Sequence, residues 1–160
     1  RADLQVAKDI FEVLLKLKSL KGYRNFFRVV VNRYLSSLSR TAPEDSVLDL
    51  TICLESLLLA NERDELKYRL SLRGAILIGE NSKDVKKTLG NMYDDRSSIV
   101  HSGKLLSELK HNGGKDVLSS YRLITEKIIK KYLEVSNDFD GLIEINQRLD
   151  ELCLYEGKIC

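Results

Sequence analysis

The segment Tyr93-Asp94-Asp95-Arg96-Ser97-Ser98-Ile99-Val100-His101-Ser102-Gly103 gathers the side chains best suited to chemistry in this sequence. It sets an arginine and one of only two histidines near the end of a helical stretch. Five residues apart on an ideal helix, Arg96 and His101 project about 140° from one another. They do not share one narrow face, yet both can border a groove lying across the helix end. Ser97 lies four residues before His101, and Tyr93 four before Ser97, so these three fall on nearly one face. A polar patch of Tyr93, Arg96, Ser97 and His101 suits a phosphate.

The chemistry this patch could support is RNA cleavage without a metal. RNA carries its own nucleophile, the 2′-hydroxyl, so cleavage needs only proton transfer and charge stabilisation. An imidazole, the side chain that exchanges its proton near neutral pH, can take the 2′-proton or protonate the leaving oxygen. A guanidinium forks onto phosphate oxygens and stabilises the charge that develops on them. One histidine does not readily serve as base and acid in the same step. A twofold dimer that joins two such helix ends would supply a second Arg–His pair. The plainer account is structural: Arg96 pairs with a nearby carboxylate and His101 faces the negative end of the helix dipole. The local segment taken alone favours that plainer account.

Other chemistries find less support. Two histidines exclude most His-rich metal sites. The single Glu-x-x-His, Glu108-Leu109-Lys110-His111, falls short of a di-iron bundle, which needs two such motifs and two further carboxylates. No Walker loop or dinucleotide fingerprint is present, so no cofactor is implied. Cys53, Cys153 and Cys160 are widely spaced and odd in number, as expected of a reducing cytoplasm with neither a disulfide framework nor zinc spacing.

The 160 residues fit one domain, residues 1–160, able to bury a substantial core. No apolar run approaches the roughly 18 residues of a membrane span. Arg1-Ala2-Asp3-Leu4 is no secretory signal, and without an initiator Met the chain reads as processed or, the preferred reading, as cut from a longer protein, of which the resemblance described below implies the C-terminal part. The net charge of +2 implies no strongly polarised partner surface. The basic residues are unevenly spread, however: Lys16, Lys18, Lys21, Arg24, Arg28, Arg33 and Arg40 occur with no acid between Glu12 and Glu44. Such a tract is either a solvated helical face or a surface that tracks phosphates, with Lys21, Arg24, Arg28 and Arg33 as the RNA-binding candidates.

Periodicity assigns the elements that must position the patch. A first helix runs from about Asp3 to Leu20 and a second from about Arg24 to Ser39, the latter burying Phe27, Val30, Val31, Tyr34 and Leu38. Thr41-Ala42-Pro43-Glu44 reads as a capping box for a third helix through Ala60. That helix is apolar nearly all round and belongs at the centre of a bundle, with Glu55 on a narrow exposed edge or paired with a cation. A fourth spans Leu66 to Ile78, with Gly74 and Ala75 allowing close approach. A fifth runs from Asp84 to about His101, capped by Asn81 or Ser82 and ended by Gly103. Two more run from about Asp116 to Val135 and from Asp138 or Asp140 to about Tyr155. With a single proline, Pro43, and no strand alternation, the expected fold is an all-α bundle of about seven helices.

The succession Asp49-Leu50-x-Ile52-x-Leu54-Glu55-Ser56-Leu57-Leu58, Leu70-x-x-Arg73-x-Ala75-x-Leu77 and Tyr93-x-x-Arg96-Ser97-x-x-Val100-His101 resembles the HEPN domains (higher eukaryotes and prokaryotes nucleotide-binding), most closely their ApeA-like branch. The resemblance covers about Asp49 to Gly103. It implies an all-α core of four or five helices, usually dimeric, with an Arg-x(4–6)-His motif near the dimer axis. Many members are metal-independent endoribonucleases in antiviral defence or toxin–antitoxin systems; others are inactive modules that dimerise or bind nucleotides or partners. ApeA-like domains commonly close longer defence proteins, so an antitoxin or a sensor domain of the same chain is an implied partner. Carried over by position, Arg96 and His101 take the catalytic places, supported by Ser97 and Tyr93. Glu55 and Arg73 match recurrent polar positions, and Glu55 is expected to pair with Arg73 or Arg96. Ser97 stands where many active members have Asn, Asp or His, which fits the ApeA-like pattern.

Overall fold

The helix that is apolar nearly all round lies at the centre of the bundle. In a computed structural model, residues 24–109, 117–136 and 142–156 are described. They form six α-helices: α1 (Arg24–Ser39), α2 (Pro43–Leu58), α3 (Leu66–Ile78), α4 (Ser82–Ser102), α5 (Val117–Val135) and α6 (Leu142–Glu156). One 3-10 turn, Leu106–Glu108, follows α4, and no strand occurs among the described residues. The helix expected over Asp3 to Leu20 lies outside them. Helix α2 packs against α1, α3, α4 and α5, and its Val47, Leu50, Cys53, Leu54, Leu57 and Leu58 are wholly buried. Helix α1 closes one side with Phe27, Val30, Val31 and Tyr34, and the Phe27 ring meets Tyr132 of α5 edge-on at 6.5 Å between centroids.

Proline fixes where α2 starts, and it overturns the expected capping box. Pro43 occupies the first turn, so Ala42 becomes the cap residue and contributes no side-chain hydrogen bond. Thr41 is left exposed. The Glu44 carboxylate turns instead to the chain after α4, where Oε1 accepts the Leu106 N–H at 2.6 Å. An acid in the first turn still favours the helix dipole, and here it also anchors the 3-10 turn beyond the candidate site.

Helices α3 and α4 approach closely because Gly74 presents no side chain. A methyl group there would overlap Leu89 Cδ1 of α4 and lie 3.2 Å from Ile128 Cδ1 of α5 and 3.5 Å from Leu58 Cδ1 of α2. Four helices therefore meet over one glycine. Leu89, Ile128 and Leu58 are fully buried, so a shift of any of them displaces other core side chains. Gly74→Ala should cost about 1–3 kcal/mol through overpacking, despite alanine's better helix propensity. A urea midpoint equal to or above that of the unchanged protein would contradict this packing.

Candidate functional site on helix α4

Helix α4 buries Val85, Leu89, Met92 and Asp95 along one stripe, which fixes its rotation against the core. That rotation turns Arg96 towards α2 and leaves His101, in the last turn, exposed. Gly103 ends the helix at a φ of +61°, and its N–H donates to the Ile99 carbonyl at 3.1 Å. Glycine adopts this left-handed backbone without steric cost, so the histidine comes two residues before a clean stop. Tyr93, Arg96 and Ser97 are each half-buried.

Glu55, Tyr93 and Arg96 form an electrostatically linked group. Burial pushes the Glu55 carboxyl above the usual range for its type, and the charge of Arg96 opposes that rise. Burial likewise raises the Tyr93 phenol, the Glu55 charge adds to the rise and Arg96 reduces it. Among the described residues Arg96 donates no hydrogen bond and makes no ion pair within 4.0 Å. Its guanidinium sits beside the Glu55–Tyr93 edge with its donors uncommitted. Glu55 makes neither of the two pairings expected of it: Arg73 is engaged by other acids, and Arg96 acts on Glu55 only as an electrostatic neighbour.

Arg73 goes elsewhere. It is 1% exposed, and its Nε and Nη2 donate to Asp150 of α6 at 2.8 and 2.6 Å. Nη2 also donates to Glu62 Oε1 at 2.7 Å, and Nη1 to the Leu58 carbonyl at 2.5 Å. Burial works against this charge, but the hydrogen bonds that the guanidinium donates to Asp150 and then to Glu62 outweigh it and hold it protonated. The residue joins helices, and its hydrogen-bond partners all lie outside the Glu55–Tyr93–Arg96 group.

The basic tract separates in a similar way. Arg28 is exposed on α1. Arg33 donates to Asp49 Oδ1 at 2.9 Å, while Arg40 Nε donates to Asp49 Oδ2 at 2.7 Å, which ties α1 to α2. Asp49 is buried, and although burial raises its carboxyl, the two arginines bring it below the ordinary value. Lys21 lies outside the described residues, as does the side chain of Arg24. Two polar groups escaped sequence reasoning. Asp95, one residue before the motif arginine, is 2% exposed and accepts the Tyr121 hydroxyl of α5 at 2.6 Å. Its place on the Val85–Leu89–Met92 stripe was the available signal. Asp49, on the most apolar helix, offered the same kind of signal.

Among the described residues no three His, Cys, Asp or Glu side chains converge in a way that could hold a metal ion. No helix of these residues is long and apolar enough to cross a membrane. The chain matches no protein-family model, no curated protein and no solved structure.

Two outcomes test this geometry. A carboxyl whose value is raised by folding binds its proton more readily in the native state, so its ionisation costs stability as pH climbs through the window above the ordinary glutamate value. Glu55→Gln should therefore raise the melting temperature at pH 7, with the difference vanishing below about pH 4. A variant less stable at pH 7 would mean that the Arg96 attraction dominates. Arg73→Met should cost about 3 kcal/mol in denaturant unfolding, near the lower end for breaking a buried pair, because Asp150 and Glu62 keep some water contact. A loss below about 1 kcal/mol would refute that role.

Proposed function

We propose that this chain is a HEPN-type, metal-independent endoribonuclease domain that cleaves single-stranded RNA within an antiviral-defence or toxin-type system, working as a homodimer. The observation that carries this reading is the state of the two motif residues on one continuous helix. Arg96 is half-buried beside Glu55 with uncommitted donors, and His101 is exposed in the last turn. A purely structural arginine would have spent its donors on carboxylates, as Arg73 and Arg33 have.

In the proposed reaction the 2′-hydroxyl attacks the adjacent phosphorus, and the bond to the 5′-oxygen of the next nucleotide breaks. The products are a 2′,3′-cyclic phosphate and a free 5′-hydroxyl. Arg96 stabilises the added negative charge on the phosphorane oxygens. His101 takes the 2′-proton, and the same histidine of a second protomer protonates the departing oxygen. Ser97 and Tyr93, on the His101 side of the helix, orient the phosphate. Glu55 limits the freedom of the Arg96 guanidinium.

A second reading, an inactive HEPN module that dimerises or binds a nucleotide or partner, draws on the same Glu55–Arg96 proximity. There the arginine would anchor a ligand without chemistry following.

Cleavage of a labelled mixed-sequence single strand in EDTA, leaving cyclic phosphate ends, is the expected result. His101→Ala should reduce the rate about 10²–10⁴-fold with its helical circular dichroism unchanged. Cleavage abolished by EDTA, or a His101→Ala variant as fast as the parent, would sink the nuclease reading. Nucleotide binding lost in Arg96→Ala, with no cleavage by the parent protein, would favour the second.

A further inference from the structure

The chain that leaves α4 is held in place by three hydrogen bonds around one exposed lysine. Gly103 turns it out of the helix at a φ of +61°, with its N–H on the Ile99 carbonyl at 3.1 Å. Two carboxylates then take amides that follow. Glu108 Oε2 accepts the Leu105 N–H at 2.9 Å, and Glu44 Oε1 of α2 accepts the Leu106 N–H at 2.6 Å. Leu106 and Leu109 are buried and join the segment to the hydrophobic core. Lys104 lies between these anchors, exposed and three residues after His101. Its backbone therefore has a fixed place beside the motif histidine, with the two Cα atoms no more than about 11 Å apart.

The ammonium on this fixed backbone is uncommitted. Among the described residues Lys104 donates no hydrogen bond and makes no ion pair within 4.0 Å. Lys67, Lys130 and Lys131, by contrast, each face an acid, at 2.6, 2.7 and 2.8 Å. Both carboxylates that fix the segment accept backbone amides rather than the lysine. A plainer account makes Lys104 a cation at the negative end of the α4 dipole. That account gives it a small part in stability and none in RNA affinity, and it leaves the Glu44 tether without a purpose at the site.

We propose that this segment is a phosphate-binding lip of the cleavage site. Lys104 pairs with the phosphate adjoining the scissile one on a single RNA strand, and Glu44 is the positioning residue that holds it there. The register on the scissile phosphate rests on the nuclease reading above; the pairing of Lys104 with the strand does not. A lysine meets a phosphate as a point charge, without the geometry a guanidinium fork demands. It therefore suits a neighbouring phosphate, which must be held but undergoes no change, while Arg96 is left for the reacting one. Pairing with backbone phosphate carries no base preference, so the lip adds affinity without sequence specificity.

The test separates binding from cleavage. In a His101→Ala background, which keeps the RNA intact, fluorescence anisotropy of a labelled uridine-rich single strand is followed across a salt series. Lys104→Met should weaken binding about tenfold at low salt and lower the slope of log affinity against log salt by about 0.7, as expected for one phosphate on a single strand. Lys104→Arg should restore both. With His101 intact, Lys104→Met should lower kcat/KM severalfold more on a uridine tetranucleotide than on a dinucleoside monophosphate, which has no adjoining phosphate. Glu44→Ala should weaken binding and speed hydrogen exchange at the Leu106 amide. Glu44→Gln, whose amide oxygen can accept the same N–H, should recover both; each variant removes the charge, so their difference reports the tether. Unchanged affinity and slope in Lys104→Met overturn the lip, as does an equal loss on the two substrates or a His101→Ala protein that binds no single strand. Equal binding by the two Glu44 variants overturns the positioning role. Cleavage in EDTA with Lys104→Met silent retires the lip and leaves the nuclease reading. Binding that depends on Lys104, without cleavage, does the reverse.

Discussion

A guanidinium buried among helices is a commitment the rest of the fold must honour. Arg73 is 1% exposed, and an arginine so placed costs several kcal/mol unless its donors and charge are matched. Asp150 supplies two oxygens, Glu62 a third, and the Leu58 carbonyl, at the end of α2 where no intrahelical partner exists, a fourth. Asn146 of α6 adds a bond from Nδ2 to the neighbouring Leu57 carbonyl at 3.2 Å. The C-terminus of α2, the connector, α3 and α6 are therefore set by one another. Once α3 is set, Gly74 admits Leu89 and so decides how near α4 can come. The helix that bears Arg96 and His101 takes its position from a charge on a different helix.

The helices themselves were legible in the sequence. Their apolar spacing and breakers fix α1 and α3 as the structure has them, and Gly103 ends α4 for the reason its position suggested. The capping box failed because its rule concerns residue types at a spacing. Pro43 shifted the cap by one residue, and Glu44 found an amide 62 residues away. The partners of Arg73 were illegible on similar grounds. Asp150 lies 77 residues downstream, and the sequence holds 24 acidic residues competing for such a place. Burial of an apolar stripe follows from local periodicity, whereas the choice of a polar partner depends on how helices rotate once they are packed.

The candidate site shows both regimes at once. An acid within the apolar run of α2 had to lie on an edge or face a cation, and Glu55 does so beside Arg96. Which arginine it would face depended on the contact of α2 with α4, and no spacing rule contains that contact. Asp95 shows the converse: an acid on the buried stripe of a helix demands a donor, and Tyr121 supplies one from α5. That bond fixes the rotation of α4 one residue before Arg96, so the direction of the motif arginine is set by a neighbour that takes no part in the proposed chemistry.

Whether Arg96 belongs to the scaffold or to a ligand turns on a balance of charge and burial. A tight ion pair with Arg96 would draw the Glu55 carboxyl below its ordinary range, as Arg33 and Arg40 draw Asp49. Burial wins at Glu55 instead, so the attraction from Arg96 is the smaller effect. A guanidinium held that loosely still presents its fork to an incoming group, while the nearby carboxylate restricts where it can swing. A phosphorane carries more charge than a carboxylate and offers oxygens at the spacing the fork prefers, so it would compete for Arg96 on favourable terms. The scaffold arginines of this protein have no such freedom, and that difference separates Arg96 from Arg73 on physical grounds.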